Sequence, residues 1–154
     1  HGVQCFGLVF RAQGLPSWGD ISDTRPLPLL VDRFQGCEIL VLHLTLDRRR
    51  PELDHFSVPD ARELLGHLSP RLLLLTHLGR GILNRGPEGV AEELGTLRSR
   101  VCAARDGMVV DLAEGTCRGG GLLRPPKGSH TDAFLERASA PLVVNPHLKE
   151  VLPS

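Results

Sequence analysis

Three side chains of the 154-residue chain share one placement, a ligand-type group just after an apolar run and just before a loop or helix. Asp23 follows Trp-Gly-Asp-Ile-Ser, His55 closes the charged stretch after residues 38–44, and His77 ends the run 71–76. Carboxylate and imidazole are donors suited to a first-row divalent metal. Layered α/β sheets collect such groups at strand ends, where successive loops open into one crevice. Each position also has a plainer reading. Asp23-Thr24 has the form of an Asx turn or helix N-cap. His55, beside Asp54, has the form of a surface histidine at a helix start, and His77, after four leucines, that of a half-buried, hydrogen-bonded one. His43, inside an apolar strand pattern, and His67, on a helix pattern, are read as structural, because their positions do not converge with the other three.

For those groups to meet, the segments between them must form strands and helices. Residues 5–11 and 18–22 are apolar with aromatic and branched side chains, and read as two short strands broken at Gly14-Leu15-Pro16. Residues 26–34 suit a short helix opened by proline and closed at Gly36. The short apolar runs 38–44 and 71–76 read as buried strands, and the charged residues 47–55 as a loop. A helix begins after Ser57, with Pro59 in its first turn and Ala61, Leu64, Leu65 and Leu68 on one face, and stops at Ser69-Pro70. The Gly-rich residues 79–86 are predicted as a loop and 87–97 as a second amphipathic helix. Residues 101–104 and 108–112 are predicted to pair as a hairpin across Arg105-Asp106-Gly107. Residues 114–128, rich in Gly, Arg and Pro, read as an irregular linker, followed by a short helix at 131–138 and an apolar strand at 141–144. The alternation predicts an α/β layered domain, a mixed sheet with helices on one face and little to cover the other.

Composition narrows the function classes. Hydrophobic residues at 41% and charged residues at 23% suit a folded domain. Eighteen Lys+Arg balance eighteen Asp+Glu, and Tyr is absent, so neither a basic excess nor stacking platforms favour nucleic acid. The longest leucine run, from Leu72, has four residues, far from the roughly 18–20 apolar residues of a membrane span; the expectation is a cytoplasmic protein without membrane contact. Cys5, Cys37, Cys102 and Cys117 are scattered with no C-x-x-C pair, which suits a reduced chain and not a zinc ribbon. Three other signals are set aside. An N-terminal histidine can chelate copper, but the scaffolds that use it so are aromatic-bearing β-sandwiches, unlike this helix-interleaved chain. The Arg48-Arg49-Arg50 triplet reads as a solvated loop before it reads as a phosphate or RNA contact. PPKGSH at 125–130 lacks the spacing of a phosphate loop.

The runs SDTRPLP at 22–28, DHFSVPDA at 54–61 and LLLLTHLGRG at 72–81 resemble successive motifs of the metallo-β-lactamase-fold hydrolases. The most similar branch holds the cyclic phosphodiesterases of the carbon–phosphorus-lyase pathway and tRNase Z, and ARDGMVVDL at 104–112 is similar to a strand near the end of that domain. Spacing agrees: Asp23 and His55 lie 32 positions apart, His55 and His77 22, and His1 lies 22 before Asp23. The resemblance implies that Asp23 bridges two metal ions, that His1 and His77 are metal ligands, and that His55 acts on substrate instead of metal. It implies one half of a four-layer αββα sandwich over residues 1–112, with 113–154 as a Gly/Pro/Arg-rich extension. The implied cofactors are two Zn²⁺ or Mn²⁺ ions per complete site, and the implied activity is a phosphodiesterase that directs metal-activated water at a small phosphodiester. The family's H-x-H-x-D-H signature, which supplies most of the ligands, is absent from the chain. The resemblance therefore implies the C-terminal half alone, completed by an N-terminal half in the same or another chain. The alternatives are a non-catalytic interaction or dimerisation module, including a homodimer, and tRNA 3′-end processing; the neutral charge counts against the latter without excluding nucleic acid.

Overall fold

Parallel strands buried on both faces need apolar side chains in both directions, and residues 39–46 and 72–76 supply them. The computed structural model describes residues 5–96 and 98–119. In chain order the elements are β1 (Leu8–Phe10), β2 (Trp18–Ile21), α1 (Leu29–Phe34), β3 (Ile39–Leu46), β4 (Phe56–Ser57), α2 (Val58–His67), β5 (Leu72–Thr76), α3 (Arg80–Arg85), α4 (Pro87–Leu94), β6 (Arg100–Ala103), β7 (Met108–Asp111) and β8 (Thr116–Gly119). The main sheet has the order β1-β2-β3-β5-β6. β1 is antiparallel to β2, and β2, β3, β5 and β6 all run parallel. β4 pairs parallel with the far end of β3, with a register irregularity between Leu44 and Leu46.

The two faces of this mixed sheet differ. Leu40, Leu42 and Leu44 of β3, with Leu73 and Leu75 of β5, meet Phe34, Leu64, Ile82 and Leu94 from the four helices. The leucines are fully buried, so truncating one to alanine costs about 2–5 kcal/mol. Gly19 lets α1 come this close, since a Cβ there would stand 2.5 Å from the Phe34 ring. On the opposite face Ile39, Leu72 and Leu74 lie beneath Val110, Leu112 and Cys117 of the β7–β8 hairpin, which Arg71 ties down by donating from Nη2 to the Leu112 carbonyl. Toward β1 that cover ends: Phe10 stacks on Trp18 with centroids 4.2 Å apart, yet Leu8 and Phe10 are 50% and 43% exposed.

Helices on one face and a thinly covered second face agree with the sequence expectation. Three local expectations are corrected. Residues 101–104 and 108–112 do not pair with each other, because β6 extends the sheet beside β5 while β7 turns back onto β8. The glycine-rich stretch 79–86 contains α3, whose Ile82 is fully buried and anchors it to the core. Thr116–Gly119, inside the expected linker, are β8. The helix expected at 131–138, the strand expected at 141–144 and His1 lie outside the described residues. Among the described residues no helix is long and apolar enough to cross a membrane.

Candidate functional site

Because β2, β3 and β5 run parallel, their C-terminal ends lie at one edge and the loops leaving them gather there. Asp23 sits on the first loop, His55 closes the second and His77 opens the third. Ser22 anchors the first by donating its hydroxyl to the Phe6 carbonyl at 2.6 Å. The structure brings the three side chains around a single oxygen. His55 Nδ1 lies 2.6 Å from Asp23 Oδ1, a charge-assisted hydrogen bond in which the ring N–H donates, and His77 Nδ1 lies 3.6 Å from the same oxygen.

His77 is held by its backbone as well as its ring. Its φ is 52°, the one positive value at a non-glycine residue among those described. Thr45 Oγ1 of β3 lies 3.2 Å from His77 Nδ1. Gly79 allows the turn to hug β3, since a Cβ there would stand 2.0 Å from the Thr45 carbonyl oxygen.

His55 is positioned by the helix that follows it. The Asp60 carboxylate accepts the Ser57 N–H at 3.1 Å and the Ser57 hydroxyl at 2.5 Å, tying the first turn of α2 to the residue before it. The other Asp60 oxygen accepts Arg49 Nε–H at 2.6 Å, and Arg49 Nη2 reaches Glu63 Oε2 at 2.6 Å. The Asp60 bond holds the Arg49 guanidinium above its ordinary pKa. The β3–β4 loop is thus fastened to α2 from both its start and its end.

His43 corrects the sequence reading. Its ring centroid is 5.3 Å from that of His77, its Nε2 lies 3.9 Å from Asp20 Oδ1, and its Nδ1 is buried with no hydrogen-bond partner among the described residues. The strand pairing places it there: residues 39, 41, 43 and 45 share the face opposite Leu40, Leu42 and Leu44, and His43 is in register with Thr76, one residue before His77. His67 is exposed at the end of α2, apart from this cluster.

The fit to a metal can be judged from these distances. Among the described residues no three His, Cys, Asp or Glu side chains are arranged to hold an ion. Two donors on one tetrahedral ion, with bonds of about 2.1 Å, stand about 3.4 Å apart. Asp23 Oδ1 and His77 Nδ1, at 3.6 Å, suit that spacing, whereas the 2.6 Å between Asp23 and His55 leaves no room for a cation. Asp23 and His77 therefore fit as two members of a larger donor set, and His55 does not.

No protein-family profile matches the chain. Over 116 residues it is 31% identical to the uncharacterized protein MJ1374 of Methanocaldococcus jannaschii, a match covering 71% of this chain and 42% of that protein. The structure is similar to the metallo-β-lactamase fold protein YhfI from Bacillus subtilis, with a TM-score of 0.58 and 17% identity over 78% of this chain and 46% of that one. It is also similar to isothiocyanate hydrolase from Delia radicum gut bacteria, with a TM-score of 0.50 and 18% identity over 73% and 42%. The mixed sheet with its helices is thus part of a metallo-β-lactamase fold. The chain spans less than half the length of each of these three proteins.

Proposed function

We propose that this chain is the C-terminal half of a metal-dependent hydrolase acting on a small phosphodiester. The observation that carries the reading is the placement of Asp23 Oδ1 between two imidazoles, 2.6 Å from one and 3.6 Å from the other, at the C-terminal edge of the sheet. Asp23 and His77 would hold a Zn²⁺ or Mn²⁺ ion, joined by His1, while an N-terminal half bearing H-x-H-x-D-H supplies the donors for the second ion. A divalent cation in such a site contributes Lewis-acid activation of water, whose pKa falls to about 7. Asp23 orients the His55 ring through Nδ1, so proton exchange by His55 runs through Nε2. As imidazolium, His55 protonates the leaving oxygen, a contribution of about 10²–10⁴-fold. The likeness to a named hydrolase supports hydrolysis as the reaction class, and the choice of phosphorus rests on the branch that residues 22–28, 54–61 and 72–81 resemble.

One observation favours a second reading. Leu8 and Phe10 leave the face that carries no helix among the described residues partly open, which suits a non-catalytic module that binds another fold half, or a second copy, through its sheet. One experiment separates the two. In the chain combined with an upstream segment bearing the missing ligands, His55→Ala should abolish hydrolysis of bis-p-nitrophenyl phosphate and leave bound metal, measured by mass spectrometry, unchanged. Full activity in that variant removes the role assigned to His55, and no activity in the unsubstituted combination favours the binding module.

A further inference from the structure

All three arginines of the triplet in the β3–β4 loop are exposed, as the sequence implied, but they differ in their partners. Arg25, Arg49, Arg50, Asp54, His55 and Asp60 line a pocket of about 190 Å³. Two of its three guanidinium groups are matched by carboxylates. Arg25 Nη2 lies 2.9 Å from Asp54 Oδ1, and Arg49 bridges Asp60 and Glu63. Arg50 has no carboxylate in ion-pair reach among the described residues. Its backbone is fixed by the turn in which Leu53 N–H donates to the Arg50 carbonyl at 2.9 Å. Arg50 therefore gives the pocket an uncompensated positive charge, in a cavity that shares His55 with the candidate site.

We infer that this pocket is a subsite for a phosphoryl group, with Arg50 as the residue that recognises it. A volume of about 190 Å³ falls below the roughly 300–1,000 Å³ of pockets that take whole ligands, so it suits one compact anionic group and not an entire nucleotide. The planar guanidinium fork matches two phosphate oxygens, which makes the pairing directional. Arg49 has a different task, holding the pocket wall to α2 through Asp60, so of the two triplet arginines that line the pocket one is structural and the other recognises the anion. Placing the group beside the reacting bond of a substrate rests on the proposed hydrolase reading; binding of the anion itself does not.

The test uses inorganic phosphate on the chelator-treated full chain, followed by titration calorimetry. Saturable binding is expected, weakened at least about tenfold in Arg50→Ala, partly restored in Arg50→Lys and unchanged in Arg33→Ala, an exposed position on α1. Absence of saturable binding, or equal affinity in Arg50→Ala, overturns the subsite. Kinetics in the completed enzyme distinguish two sources of the phosphoryl group. If it is a second phosphate of the substrate, Arg50→Ala raises KM for a substrate that carries one and leaves KM for bis-p-nitrophenyl phosphate unchanged. If it is the monoester product, product inhibition weakens instead. Phosphate binding without any hydrolysis sinks the hydrolase reading alone, and intact hydrolysis with unchanged phosphate affinity in Arg50→Ala sinks this inference alone.

Discussion

His77 occupies a left-handed backbone conformation that costs a non-glycine residue about 1–2 kcal/mol and that glycine adopts freely. Such strain persists where surrounding structure over-determines it, and here β5, Thr45 and the close approach of Gly79 to β3 do so. His77→Gly relieves the strain but frees the unfolded chain by a similar amount, so we expect stability within about 1 kcal/mol of the unsubstituted protein in chemical denaturation, while the hydrolysis proposed for the chain completed by its missing half falls to background. A large loss of stability would show that packing of the ring, not ligation, holds it there. The meeting of Asp23, His55 and His77 was legible in the sequence because Asp23 and His77 stand where an apolar run gives way to a loop, and His55 where the loop after the next run gives way to a helix. His43 was not, since an unbroken apolar run conceals which face each side chain takes, and only pairing with β5 sets its ring beside His77.

The elements that carry these residues were legible where pairing or capping is local. α2 announces itself through Ser57, Pro59 and its apolar face, and the buried strands through their leucines. The sequence suggests a hairpin for β6 and β7 because Arg105-Asp106-Gly107 is a strong local turn signal, whereas the open edge of β5 is a distant partner that no local pattern reveals. α3 was missed because glycines frame it and one buried side chain, Ile82, holds it. The helical layer has its own electrostatic tie. Glu93 of α4 bonds Arg62 of α2 at 2.5 Å and also pairs with Arg85 of α3, and the Arg62 bond lowers its pKa below the ordinary 4.5. A lowered carboxylate pKa stabilises the fold above the ordinary value and loses that contribution as pH falls through the lowered one. With its side chain 36% exposed, the tie is worth no more than about 1 kcal/mol. Glu93→Gln should therefore lower stability by up to that amount at pH 7, with the deficit shrinking below pH 4.5 and vanishing only as pH falls through the lowered pKa, as followed by urea unfolding across pH. An equal deficit at both ends of the range would assign the effect to packing.

At the scale of the molecule, among the described residues four helices cover one face of the sheet, and the other is shared between a hairpin and open apolar surface. The hairpin lies over Ile39, Leu72 and Leu74, and burial together with contact from Cys102 pushes the half-buried Cys117 thiol up to about 11. Leu8 and Phe10 continue that surface past the end of the cover. The fold half was visible in the order of motifs and the absent H-x-H-x-D-H run, whereas its partial cover was not, because β8 lies in a stretch whose glycines and arginines resemble a linker. A chain that spans less than half of its structural relatives and presents two well-spaced donors is chemically incomplete by itself in the reading proposed here.

Metal loading tests that reading most directly. Elemental analysis should find two equivalents of zinc or manganese per chain when a segment bearing the H-x-H-x-D-H ligands is supplied, a clear drop in Asp23→Ala and in His77→Ala, and only weak binding by the 154 residues alone. Tight stoichiometric metal on the isolated chain, or full loading with both donors removed, would contradict the account.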